Sequence, residues 1–238
     1  MIFDRDGTIF DTFHAYQCFY EDLKAGLSEK GIEASSFEEF MEKHTNDRKR
    51  FWSRISKGRF TKRSFRVWQG TYHYRMKNRS FMYAKVFPEV KNTLVALSSN
   101  NIDMALTSGW FGTEATKIAL KRHDLDGFFK VILTLDDFIE QKYKLPLPYD
   151  AAKLPFRRSI TKKKWLATEA LRLLDAKPEE AVFVGDAPEE IKAGKSLGIK
   201  TVAVLTGWGK EYNEKFNEIK PDDIIESLEK LPAAVREF

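Results

Sequence analysis

Cysteine is nearly absent: the 238-residue chain has one, Cys18. A single thiol cannot close an internal disulfide, so a cystine-stapled secreted scaffold is excluded and a reducing, cytoplasmic setting is the expectation. Long apolar runs are missing too. A membrane span needs about 20 apolar residues, whereas the longest runs here are strand-sized, such as VILTL at 131–135 and VAVL at 202–205. The start of the chain has no basic stretch leading into an apolar one, which argues against a secretory leader. Histidine is scarce, and the four residues His14, His44, His73 and His123 share no spacing that suits a metal site. Repeats and low-complexity tracts are not found.

The most local absence is of acid. Between Arg48 and Pro88 there is no Asp or Glu, while thirteen Lys or Arg fall in that segment. The rest of the chain then holds 27 basic against 35 acidic residues, so the overall charge of +5 comes from one basic stretch. Aromatic residues are interleaved with those bases, among them Trp52, Phe60, Trp68, Tyr72 and Tyr83. A helical module with an aromatic core and a solvated basic face accounts for this pattern. Capture of an anionic substrate is the functional reading, and stacking on single-stranded nucleic acid is a weaker one, since no nucleic-acid motif accompanies it.

Hydrophobic residues make up 42% of the chain, enough to build a packed core and to exclude general disorder. Short apolar runs alternate with helical patterns. Strands are expected at Met1–Phe3, Ile102–Thr107, Lys130–Thr134, Ala181–Val184 and Thr201–Leu205. Helices are expected at Val90–Ser99, Glu114–His123, Lys162–Asp175 and Glu189–Leu197, with Thr161 as N-cap of the third. Continuous apolar strands separated by helices predict an α/β fold, a doubly wound parallel sheet covered on both faces. Residues 13–84 break the rhythm and read as an inserted, mostly helical cap, its core including Phe13, Tyr16, Phe19, Tyr20 and Leu23. The catalytic core is then 1–12 and 85–238. The stretch 138–160 is too rich in proline to read as a helix.

In an open α/β sheet, ligands sit beyond the carboxyl ends of the strands. Three strands deliver polar groups there: Asp4 and Asp6 after the first, Thr107 and Ser108 at the second, and Asp186 after AVFV. Gly7 allows a tight turn beside the two aspartates. Such a cluster of carboxylates calls for a cation, and a few hard oxygen donors suit Mg²⁺.

The stretch FDRDGTIFDT resembles the first motif of the haloacid dehalogenase superfamily, in its phosphatase branch. MALTSG is similar to the second motif, and VFVGDAPEEIKAGKSLGIKTVAVLTGWG to the fourth and its flank. The resemblance covers residues 1–12 and 86–228 and implies a Rossmann-like core and a Mg²⁺-dependent phosphatase. By that resemblance Asp4 is the nucleophile that becomes an aspartyl-phosphate and Asp6 is the general acid and base. The metal is held by Asp4, the Asp6 carbonyl and Asp186. Thr107, with the Ser108 backbone, and a lysine of TKKKW bind phosphate. Counting back from Asp186 selects Lys162, with Lys163 and Lys164 as alternatives. Glu190 stands where the family often has aspartate, and its longer arm suggests a role in holding a ligand or a water rather than the ion. A phosphomutase shares the same motifs. A small phosphorylated metabolite is the expected substrate, and a monomer or homodimer the expected state.

Overall fold

The computed structural model describes residues 1–28, 33, 36–39, 82–110, 112–143 and 159–238. Six parallel strands form one sheet: β1 (Ile2–Asp4), β2 (Ala105–Thr107), β3 (Val131–Leu133), β4 (Val182–Gly185), β5 (Lys200–Val204) and β6 (Asp223–Ile225), in spatial order β3-β2-β1-β4-β5-β6. The order reverses between β1 and β4, and that switch point opens a crevice at the strands' carboxyl ends. Asp4 ends β1, and Asp186 follows β4 at once.

The side-chain alternation of the strands explains which helices meet the site. Phe3, Leu106 and Val184 face one side, where they pack with α2 (Val90–Ser99) and α3 (Thr113–Arg122). Ile2, Ala105 and Phe183 face the other, against α5 (Ser159–Leu173) and α6 (Pro188–Leu197). Two residues beyond Ile2, Asp4 has the parity of the second face. It is therefore aimed toward α5, whose Leu166, Ala167 and Ala170 are wholly buried. Burying a leucine side chain stabilises by about 1.5–3 kcal/mol and a methyl group by roughly 0.8 kcal/mol, so the three together set the phase of α5.

Several local expectations need correction. Helix α5 begins at Ser159, which places Thr161 inside its first turn and not at its N-cap. Helix α4 (Leu135–Tyr143) runs into the stretch read as irregular, because its prolines begin only at Pro146. Strand β6 and helix α7 (Asn213–Ile219) had no counterpart in the sequence reading. Most of the expected cap lies outside the described residues, and so does the basic aromatic segment up to residue 81. What is described includes α1 (Thr12–Ser28), where Tyr20 is buried and its ring lies 5.3 Å from that of Phe37. Phe13, assigned to a cap core by spacing, is 57% exposed in the first turn of α1. Tyr16, Phe19 and Leu23 are outside the described side chains. Among the described residues, no helix is long and apolar enough to cross a membrane.

The chain leaves and re-enters the core at adjacent points. The Asp11 N–H donates to the Lys85 carbonyl at 2.8 Å, and the Phe87 N–H to the Ile9 carbonyl at 3.3 Å. His123 Nε2 lies 2.9 Å from the Ala84 carbonyl, and its ring packs edge-on against Phe10.

Candidate active site

Asp4 is 3% exposed, and its Oδ1 is ion-paired with the Lys163 ammonium. The same ammonium pairs with Glu190 Oε1. The lysine brought to Asp4 is thus Lys163, one position later than the count back from Asp186 selects. Helical phase is the reason: Leu166, Ala167 and Ala170 stand three, four and seven residues beyond Lys163, on one stripe. Lys162 is half-buried and Lys164 exposed. Gly109 lets the chain after β2 pass close to this ammonium, since a Cβ there would stand 3.2 Å from Lys163 Cε.

Around Lys163 negative charge is in excess. Burial, with repulsion from Glu190 and Asp6, outweighs the attraction of Lys163 and raises the Asp4 carboxyl to about 7. Asp186 is also raised well above the usual carboxylate range, by burial first and then by Asp4 and Glu190. Burial alone would lower the Lys163 ammonium, but Asp4 and Glu190 together raise it, so it stays charged. Glu190 Oε2 is buried without a hydrogen-bond partner. Glu190 is wedged against the backbone of β4, where a Cβ on Gly185 would come within 2.6 Å of its Cγ.

Asp186 is held by the Trp208 N–H, which donates to its Oδ2 at 2.9 Å. Gly7, at φ 80°, and Gly207, at φ 53°, close on the same oxygen, and a Cβ on either would overlap it. Thr206 Oγ1 donates to the Gly7 carbonyl at 2.7 Å, tying the loop after β5 to the turn after β1. Sequence reasoning quoted TGWG only as a flank and missed this part. Its signal was a pair of glycines and a tryptophan beyond a strand that ends in the crevice.

Asp6 is held by partners of its own. Ser108 Oγ donates to its Oδ2 at 2.9 Å, and the Arg5 guanidinium faces both carboxylate oxygens at 3.2–3.3 Å. Thr107 ends β2 and Ser108 follows it. Thr107 is fully buried and its hydroxyl donates to the Phe3 carbonyl at 3.1 Å, while the Ser108 N–H donates to the Leu133 carbonyl at 2.9 Å. Both groups expected to hold phosphate make hydrogen bonds within the sheet, and the Ser108 hydroxyl reaches Asp6.

No group of three His, Cys, Asp or Glu side chains stands ready to cage a metal among the described residues. A hard cation needs less here, because the resemblance supplies two carboxylates, Asp4 and Asp186, and a backbone carbonyl, that of Asp6. The surplus of buried carboxylate over Lys163 and the orphaned Glu190 oxygen fit a divalent cation at this point. These residues would hold Mg²⁺.

The raised carboxyls set a pH dependence. A carboxyl with a raised pKa in the fold stabilises fully below its unfolded value near 4, and that stability is lost as pH rises through the folded value. Without metal, thermal stability should therefore fall as pH rises above about 4, for Asp4 up to about 7, by at most about 1.4 kcal/mol per pH unit for each group. In calorimetry with a chelator present, Asp186→Asn should raise the melting temperature at pH 7.5 and flatten this slope. A slope that persists unchanged in Asp186→Asn would show that other groups carry it.

Comparison with known proteins decides the family. The model of the haloacid dehalogenase-like hydrolases matches residues 1–198. The chain belongs to this family. It is a hydrolase of the phosphatase branch, and its six-stranded core is that family's Rossmann-like sheet. Phosphoglycolate phosphatase of Aquifex aeolicus is 27% identical over 236 residues, covering 96% of each chain. Pyrophosphatase PpaX of Bacillus mycoides is 35% identical over 119 residues, which is 50% of this chain and 45% of the other. Among solved structures, a predicted phosphoglycolate phosphatase from Haemophilus somnus superposes with a TM-score of 0.68 at 20% identity, over 98% of this chain and 96% of that one. A β-phosphoglucomutase from Clostridium difficile gives 0.59 at 18% identity, over 99% and 94%. These structural likenesses concern the fold.

Proposed function

We propose that the chain hydrolyses a small phosphate monoester through an aspartyl-phosphate on Asp4, with Mg²⁺ as cofactor. The observation that carries this reading is the buried Asp4 paired with Lys163 at the switch point, with Asp186 beside it and Asp6 held by Ser108 and Arg5. An Asp4 oxygen forms a bond to phosphorus as the ester oxygen departs, and Asp6 gives that oxygen a proton. Asp6, now ionised, takes a proton from water; the water oxygen bonds to phosphorus, and the bond to Asp4 breaks to release phosphate. Lys163 offsets charge on Asp4 and on the entering phosphoryl group, and the Ser108 hydroxyl orients Asp6. Mg²⁺ held by Asp4, the Asp6 carbonyl and Asp186 would let an anionic phosphate approach an anionic nucleophile.

The relative that matches along nearly its whole length acts, by its name, on phosphoglycolate, which makes a short phosphorylated carboxylate the first substrate class to test. A panel of such acids, sugar phosphates, nucleoside monophosphates and pyrophosphate, assayed for free phosphate with and without Mg²⁺, tests the reading. Release from at least one monoester, lost on chelation, is expected. Isomer without free phosphate would favour a mutase, and no turnover of any monoester would overturn the proposal.

A further inference from the structure

Arg5 has no role in the chemistry just described, yet it is among the largest fully buried side chains of the protein. An arginine is almost never fully buried without partners that hold it. Its Nη1 donates to Thr116 Oγ1 at 2.6 Å, and that hydroxyl donates in turn to the Gly112 carbonyl at 2.7 Å, at the start of α3. Its Nε faces Asp6 Oδ1 at 3.2 Å and Oδ2 at 3.3 Å, and its Nη2 faces Oδ2 at 3.2 Å. The fork is thus fixed at one end to the scaffold and at the other spans a carboxylate. Ser108 closes the opposite side of Asp6, its Oγ receiving the Trp110 N–H at 3.1 Å.

We infer that Arg5 is a positioning residue that clamps the Asp6 carboxylate in one orientation, anchored through Thr116 to α3. The inference rests on Asp6 serving as general acid in the proposed phosphatase. A planar guanidinium fixes both carboxylate oxygens, whereas one hydroxyl would leave the carboxylate free to rotate. A displacement on the order of 1 Å at a proton-transferring group costs about 100-fold in rate. The loss should fall on substrates whose leaving oxygen needs a proton.

The test compares kcat/KM for an alkyl phosphate, whose alkoxide must be protonated to leave, with that for p-nitrophenyl phosphate, whose phenolate leaves unaided. In Arg5→Met the alkyl phosphate should lose about 100-fold and the aryl phosphate less than about tenfold, the same bias as in Asp6→Asn. Arg5→Lys should recover only part of the loss, because an ammonium cannot span two oxygens. Thr116→Val leaves Arg5 in place but removes its anchor, and should show the same bias at smaller amplitude even if Arg5→Met fails to fold. Equal losses on both substrates in Arg5→Met and Thr116→Val, or no loss in either, would overturn the clamp. The phosphatase reading fails separately, if wild-type turnover of the aryl phosphate does not depend on Asp4.

Discussion

Asp4→Asn is expected to lower Mg²⁺-dependent phosphate release by roughly 10⁴–10⁶-fold, the range seen when a covalent nucleophile is removed. Asparagine has the shape of aspartate and fits a site where the side chain is 4% exposed, so the fold should survive. The amide is a poor nucleophile, and it withdraws one negative charge from a place with too many. Asp186 is raised partly by Asp4, so the metal-free variant should hold or gain thermal stability, even though Lys163 keeps only Glu190. The combination is diagnostic: activity gone, melting temperature unchanged or higher. Activity retained to within tenfold would remove Asp4 from the covalent role. A collapse of stability would instead mean that its pairing with Lys163 outweighs the repulsion.

Lys163→Met should cost both activity and stability. The ammonium is buried between two buried carboxylates, with side chains 9%, 4% and 2% exposed for Lys163, Asp4 and Glu190. Removing one member of a buried ion pair leaves charge uncompensated, typically a loss of about 3–5 kcal/mol, or on the order of 10 °C in a protein of this size. The loss should be smaller at pH 5 than at pH 8, because the stranded carboxylates can then take up protons. Mg²⁺ should restore part of the stability. Phosphate release should fall by at least about 10²–10³-fold, the usual cost of losing a preorganised charge partner. Lys162→Met and Lys164→Met should each stay within a few-fold of wild type. A large loss in Lys162→Met with little effect in Lys163→Met would overturn this placement of the site lysine.

How far the site could be read beforehand depended on what fixes each residue. Asp4, Asp6 and Asp186 are tied to strand ends, and a strand end is visible where an apolar run meets Gly and Asp. The sheet followed from the same runs. Lys163 was harder because its distance in sequence from Asp186 passes through most of a helix, a loop and a strand, so counting gives the neighbourhood and not the residue. The buried stripe of α5 decides it, and that stripe was present in the sequence as Leu166, Ala167 and Ala170. The bonding of Thr107 and Ser108 was hidden for a different reason. Residue type says that a hydroxyl and an N–H exist, but not that the sheet has already taken the Thr107 hydroxyl for Phe3 and the Ser108 N–H for Leu133. Arg5 was invisible as a functional group, since its anchor Thr116 lies 111 positions away. Strand β6 was missed because three residues beside acidic neighbours carry little apolar signal.

The adjacent exit and entry of the chain, Asp11 beside Lys85 and Ile9 beside Phe87, bears on how such a protein can diversify. Two ends already joined by hydrogen bonds put almost no constraint on the length or shape of what lies between them. Doubling a flexible connection at a fixed gap costs only about 0.6 kcal/mol of closure entropy. An insertion at this junction can be lengthened, shortened or exchanged for an unrelated one while Asp4, Lys163 and Asp186 stay where the sheet puts them. The reacting groups are thereby insulated from changes at the junction, which is a seam along which the fold can vary.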